Sequence, residues 1–326
     1  MELAFIEQLR RDVPTNDLVR LGLGDDAAIL DTRNLETVLT VDLLTEGVDF
    51  LLDEVGPQFI GRKALAVNLS DLAAMAAVPI AVLVAVALPK CSGSHCSLYR
   101  AETLAPQLLE GMTPLLQKYN VALIGGDTNT WDGGLVISVT AIGRVTEHGP
   151  LKRSGAKPGD RILVTGTLGG SILRHQFLFE PRVKEALHLN EHYRINAAID
   201  ISDGLSLDLS RLAAESHVGA IIDAYHVPIS DDAKELAKTG VQNAGLNSPP
   251  VTHRSPLEHA LYDGEDFELT LAVPAEEAKR LLAMQPLLSL LGTQLTDIGE
   301  FIAEPGQWLR DPNGVTQKIT PQGFVH

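Results

Sequence analysis

The chain is short of several things, and each shortage removes a class of function. Basic residues are scarce: 26 lysines and arginines stand against 42 aspartates and glutamates in 326 residues, a formal net charge of −16. A sequence-independent nucleic-acid binder carries a basic patch, and docking on anionic lipid needs the same sign of charge, so both readings fall away. An acidic protein still binds phosphorylated metabolites when divalent cations bridge the two sets of negative charge. Long apolar runs are missing. The longest candidate, IAVLVAVAL at 80–88, falls well below the roughly 18 residues of a spanning helix and has the length of a buried strand. Cysteine is nearly absent: both cysteines sit in CSGSHC (Cys91, His95, Cys96). A structural zinc site wants four ligands and a distant second pair, which the sequence lacks, so reduced thiols at a loop-to-helix entry are expected. The opening MELAFIEQLRRDV has no cleavable-signal pattern and reads as a short amphipathic helix, so a cytoplasmic location is expected.

Common catalytic signatures are missing as well. G-x-x-x-x-G-K-[ST], H-E-x-x-H and G-x-S-x-G do not occur, which removes Walker-type loops, zincins and nucleophile-elbow hydrolases. TGTLGGS at 165–171 follows a strand and is as compatible with a tight turn as with a phosphate cradle.

What is present is a chain 45% hydrophobic and 21% charged, enough for one large domain or two ordinary ones. Its first half alternates strands (AAIL, TVLTVDLL, IAVLVAVAL, LVISVTAIGRV) with helices (56–77, and a long one ending near Tyr119). TEHGPLKRSGAKPGD at 146–160, rich in Gly, Pro and charge, reads as the junction, giving domains 1–147 and 148–326. The second half opens with RILVTGTLG and mixes strands (GAIIDAY, FELTLAV) with helices (LDLSRLAAES, AEEAKRLLAM). The expected class is α/β or α+β in two domains.

The acids carry the functional signal. LGLGDDAAIL at 21–30 fits the dinucleotide pattern G-x-G-x-x-G/A, and Asp42 stands where that motif wants its ribose-binding acid. Yet Asp25 and Asp26 would then face a pyrophosphate. Two like charges at 4 Å cost about 4 kcal/mol at an effective dielectric of 20, and an intervening divalent cation reverses the sign. Further acids lie in apolar or glycine-rich context: Asp42 (VLTVDLL), Asp71 (VNLSDLAAM), Asp127 (ALIGGDT), Asp200 and Asp203 (AAIDISDGL), Glu265 and Asp266 (YDGEDFEL). Lysine and arginine look too sparse nearby to pair with all of them. Hard cations such as Mg²⁺ accept one or two carboxylates plus substrate phosphates. The same dipeptides also serve as helix N-caps and turn residues, so spacing alone licenses only a metal-phosphate site among alternatives.

As a set and in order, GLGDDAAIL, TVDLLTEGVDF, KALAVNLSDLAAM, LIGGDT, RSGAKPGD, VTGTLG, IDISDGL and GEDFEL resemble the thiamine-monophosphate kinase family, within the fold group of aminoimidazole ribonucleotide synthetase. The resemblance implies an N-terminal domain paired with its copy through a β-barrel-like homodimer interface, and a C-terminal α/β domain beside it. It implies ATP between the domains, held through several Mg²⁺ ions, with thiamine monophosphate attacking the γ-phosphate directly. It places Asp26, Thr40, Asp42, Asp71, Asp127, Asp200 and Asp203 at metal positions. Gly126, Asp127, Arg153 and Ser202 fall on nucleotide positions, and Asp49, Glu265 and Phe324 on acceptor positions.

Three positions depart from the family pattern. The segment usually ending EGVHF reads EGVDF, which puts Asp49 in place of a histidine. The motif usually written SGGEDYEL reads YDGEDFEL, with Tyr262 and Asp263 where small residues are usual, and the C-terminal aromatic is Phe324. All three map to the acceptor side. A different phosphorylated acceptor, or a non-catalytic nucleotide-binding role, therefore stands beside the kinase reading. Arg182 and His175 read as structural side chains, with a phosphate contact open for Arg182.

Overall fold

The structure, a computed structural model, describes residues 19–21, 28–31, 36–90, 101–239 and 254–324. The N-terminal amphipathic segment, Asp25, Asp26 and the Cys91, His95, Cys96 cluster lie outside the described residues.

The first half contains β1 (Val19–Leu21), β2 (Ala28–Asp31), β3 (Glu36–Thr45), α1 (Leu52–Val55), α2 (Pro57–Ala74), β4 (Val78–Pro89), α3 (Ala101–Tyr119), β5 (Ala122–Trp131) and β6 (Val136–Arg144). Its strands form one sheet in the order β1-β2-β3-β6-β4-β5. β4 and β5 run parallel, and α3 supplies the crossover that a parallel pair requires. Residues 146–160 carry no helix or strand.

The second half contains β7 (Arg161–Thr165), a 3₁₀ turn (Ser171–Leu173), α4 (His175–Leu178), α5 (Val183–His192), β8 (Ala197–Asp200), α6 (Leu205–Glu215), β9 (Gly219–Asp223), α7 (Asp231–Thr239) and α8 (Pro256–Tyr262). It continues through β10 (Leu269–Val273), α9 (Ala275–Met284), α10 (Pro286–Leu291), β11 (Leu295–Ile302), β12 (Gln307–Arg310) and β13 (Thr316–Ile319). These strands form a second sheet, ordered β13-β12-β9-β11-β7-β10-β8.

Helix α2 lies between the halves. Apolar and small residues surround it, and a helix apolar all round belongs in a core; fourteen of its eighteen residues are buried. It packs on α3, on β3 and β6, and on α4, α5 and β8. Two glycines permit the approach to α3. A Cβ at Gly61 would lie 2.0 Å from the Leu108 carbonyl oxygen, and one at Gly111 would lie 1.8 Å from that of Gln58. The core around α2 runs without a break into the second half, where Phe179 stacks on Phe267 with ring centroids 4.1 Å apart.

One expectation needs correction. β4 is buried on one face only: Val82 is inaccessible, while Ile80 and Leu83 are exposed. Leu83 registers with Val41 through Thr140, so it shares an open apolar face of the first sheet with Val41 and Leu43 (61% exposed each). The apolar run has strand length because the strand is long, with helices covering a single side.

Candidate active site

Alternation along β3 turns Val41 and Leu43 outward, so Thr40 and Asp42 share the face of buried Val38 and Leu44, towards α2. There the Thr40 hydroxyl donates to Oδ2 of Asp71. The preceding helix residue, Ser70, donates its hydroxyl to Oδ2 of Asp200 at 2.6 Å, and both residues are buried. Adjacent residues of α2 thus tie the two sheets together, one to β3 and the other to the end of β8. Thr40 and Asp71 meet at this seam, Asp200 is reached from the adjacent Ser70, and Asp42 stands two residues along β3 from Thr40 on the same face. The donor set is all hard oxygen, which suits Mg²⁺ rather than a soft transition metal. A cation of that kind takes one or two carboxylates plus phosphate oxygens. Among the described residues no three ligand-type side chains form a ready cage.

Asp203 is not brought into this group. Its carboxylate takes Nη1 of Arg211 at 2.5 Å, and Arg211 also reaches Oδ1 of Asp208 at 2.7 Å. The Asp203 N–H donates to the other Asp208 oxygen at 2.8 Å. Burial, reinforced by the Asp203 charge and opposed by Arg211, leaves the Asp208 carboxyl pushed up to about 7. Arg153 lies close enough to stabilise the Asp208 charge. Ser202, Glu265 and Phe324 gather beside Asp203. The Ser202 carbonyl accepts the Glu265 N–H at 2.7 Å, and the Asp203 carbonyl accepts the Phe324 N–H at 2.9 Å. Gly323 allows that approach, since a Cβ there would stand 2.3 Å from the Asp203 carbonyl oxygen.

Gly126 and Asp127 stand apart, on the exposed outermost strand β5. Register runs from Asp42 to Val139, Val84 and Gly126, three strand spacings or about 14 Å across the sheet.

Of the residues expected on the acceptor side, Asp49 accepts the Thr45 N–H on its Oδ2 at 2.6 Å, closing the turn after β3. Glu265 has a left-handed backbone, φ 65°, and keeps 33% of its side chain exposed. Burial of the rest pushes its carboxyl up, Lys63 opposes this, and the Asp49 and Asp203 charges add to it. A cavity of about 360 Å³ opens nearby, lined by Phe50, Phe59 and Phe177 with Glu54 and Arg174.

The remaining motif residues are structural. The Gly169 N–H and the Ser171 hydroxyl are taken by Asp266, and the Gly170 N–H by Asp263. The Gly-rich 165–171 segment therefore spends these N–H groups on its own acids and is a turn. Asp263 also accepts from Arg254 at 2.9 Å and lies 2.8 Å from Nδ1 of His259. Arg182 grips Glu268 with Nε and Nη2, so it is not a phosphate contact. His175 lies 3.3 Å from the Asp266 carbonyl and packs near Phe179.

Of the acids singled out in the sequence, Asp203 and Glu265 take a cationic partner among the described residues, as the scarcity of lysine and arginine leads one to expect. Arg211 serves Asp203 and Asp208, Arg182 serves Glu268, and Lys63 serves Glu265. Sequence reasoning missed Ser70, Lys63, Gln176 and Arg211. One signal was readable: a lysine inside the apolar run of α2 must be paired, because a buried ammonium is costly alone.

Two mixed sheets clasped by one buried helix, whose Ser70 and Asp71 reach Asp200 on one sheet and Thr40 on the other, define the class. Residues 24–145 match the N-terminal domain, and residues 157–310 the C-terminal domain, of AIR synthase related proteins. The chain is 39% identical, over 335 aligned positions, to the thiamine-monophosphate kinase of Rhodopirellula baltica, covering 100% of this chain and 97% of that protein. Its fold is similar to that of AaThiL complexed with AMPPCP and TMP, at a TM-score of 0.77 and 26% identity, covering 100% and 96% of the two chains. It is also similar to the thiamine-monophosphate kinase of Stenotrophomonas maltophilia, at a TM-score of 0.70 and 34% identity, covering 94% and 95%. The chain belongs to the thiamine-monophosphate kinase family.

Proposed function

We propose that this chain transfers the γ-phosphoryl group of ATP to thiamine monophosphate, giving thiamine diphosphate and ADP. The full-length identity to the Rhodopirellula enzyme and the fold shared with a protein that holds AMPPCP and TMP support this reading. The observation that carries it is the Ser70 and Asp71 pair, which fastens Asp200 on one sheet and Thr40 on the other into a single oxygen-rich seam.

A phosphate oxygen of the acceptor attacks the γ-phosphorus while the bond to the β,γ-bridging oxygen breaks and ADP leaves. The attacking group is largely ionised near neutral pH, so no protein base is needed. Mg²⁺ would supply charge neutralisation and alignment of the phosphate oxygens. The chain's part is to hold groups in line. Thr40, Asp42, Asp71 and Asp200, with Asp26, Asp127 and Asp203, are the proposed ligands; Asp203 serves by exchanging its Arg211 contact for a cation. Gly126, Asp127, Arg153 and Ser202 face the nucleotide. Asp49, Glu265 and Phe324 flank the acceptor, with Glu265 beside its cationic ring. Domains 1–147 and 148–326 meet at the seam. The open apolar face of the first sheet packs against a second copy in a homodimer, and the enzyme works in the cytoplasm. Among the described residues no helix is long and apolar enough to cross a membrane.

Purified protein with ATP, Mg²⁺ and thiamine monophosphate is expected to form thiamine diphosphate. No turnover at millimolar acceptor, with ATP demonstrably bound, would remove this acceptor. Asp49 favours a second reading, an enzyme of the same fold with another phosphorylated acceptor. ADP release stimulated by a different metabolite would select it, and tight ATP binding without ADP release under any acceptor would select a non-catalytic role.

A further inference from the structure

Lys63 has no exposed side-chain surface, although lysine is seldom taken wholly out of water without partners. Its ammonium meets three oxygens from separate segments: the Asp49 carbonyl at 3.0 Å, Oε1 of Gln176 at 2.8 Å and Oε1 of Glu265 at 2.5 Å. Three donors meet three acceptors, so nothing is left to contact a phosphate. The Phe177 ring, 5.0 Å away, covers the ammonium further.

These partners come from both halves of the chain. Asp49 ends the turn after β3, Gln176 lies in α4, and Glu265 follows α8. Glu265 needs outside support, because a non-glycine residue at φ 65° persists only where its surroundings over-determine it. Its N–H is held by Ser202 and its carboxylate by Lys63. Lys63 also shares a helix with the metal side. Ser70 follows two turns later on the same face of α2, about 10 Å along the axis. One rigid, buried helix therefore anchors the acceptor-side carboxylate at one point and the Asp71 and Asp200 carboxylates at another. In-line transfer depends on that separation, since catalysis here is alignment.

We propose that Lys63 is a positioning residue for the acceptor. It sets Glu265 and the Asp49 turn at a fixed distance from Ser70 and Asp71, and so determines how a phosphorylated, cationic heterocycle is presented to the γ-phosphate. This inference rests on the kinase reading above. Lys63 touches neither substrate; it acts through Glu265.

The test is steady-state kinetics with ATP, Mg²⁺ and thiamine monophosphate on wild type, Lys63→Met, Glu265→Gln and the double variant, each checked by thermal unfolding. Lys63→Met is expected to raise KM for thiamine monophosphate about tenfold or more while KM for ATP stays within about twofold. The double variant is expected to be no worse than the poorer single, because the two residues act as one unit. Equal rises in both KM values, no change in either, or multiplying effects would overturn the proposal. Gln176→Met leaves the ammonium and its Glu265 contact in place and is expected to raise the acceptor KM about threefold, selectively. An unselective effect or none there overturns the proposal even where Lys63→Met does not fold. Wild-type protein that makes no thiamine diphosphate overturns the kinase reading and this inference together, whereas wild-type turnover with an unselective Lys63→Met overturns this inference alone.

Discussion

Asp71 is the residue on which most of the proposed chemistry turns. It accepts the Thr40 hydroxyl and follows Ser70, the partner of Asp200. Asp71→Asn preserves shape and hydrogen bonding but removes the charge that draws a cation to the seam. The expected outcome is a kcat lower by about a hundredfold or more with an unfolding midpoint close to wild type, read by coupled ADP release and circular dichroism. Asp266 offers a contrasting acid. It is 1% exposed, and burial holds its carboxyl well above the usual range despite hydrogen bonds from Ser171 and Gly169. A raised folded pKa means the native state binds the proton more tightly than the unfolded chain does. Its stabilisation is therefore complete below the unfolded value, about 3.9, and is lost as pH rises through the raised folded value. Urea unfolding of wild type against Asp266→Asn over a pH series is expected to show wild type losing ground as pH rises; a pH-independent difference would contradict the assignment.

At the scale of elements, α2 organises the molecule. Its small and apolar residues let it touch α3, the first sheet and the second half at once. Gly61→Ala drives a methyl into the Leu108 carbonyl, and such overpacking costs about 1 to 3 kcal/mol. The urea midpoint is expected to fall with the m-value unchanged. Ser70→Ala leaves a buried Asp200 oxygen without that hydroxyl, a loss of about 1 to 3 kcal/mol, accompanied by weaker Mg²⁺-dependent ATP binding in calorimetry. Much of this was legible beforehand. The apolar spacing of 56–77 predicts the helix that runs over Pro57–Ala74, and TVLTVDLL predicts β3. The strands β11 to β13 and the short helices α7 and α8 were not read, because they are short or, like β11 at Asp297–Gly299, broken by a bulge that interrupts the apolar period.

Among the described residues, the first sheet leaves part of one face open. Val41, Leu43 and Leu83 are exposed together there, and an open apolar face marks an interaction surface. For the proposed homodimer, Leu43→Lys is expected to lower sedimentation to that of a monomer, because an ammonium buried in an apolar interface is unpaired. Unchanged sedimentation would place the interface elsewhere.

By itself the sequence determined the long periodic segments, such as α2 and β3, and which acids stand in apolar or glycine-rich settings. Those are local properties, carried by apolar period and turn chemistry within a few residues. Tertiary structure alone decided how the acids are used. Asp200 joins Asp71 through Ser70, Asp203 is held by Arg211, and Glu265 is held by a lysine 202 positions away. Pairing is a matter of distance and burial, and neither exists for a carboxylate until the sheets close around α2.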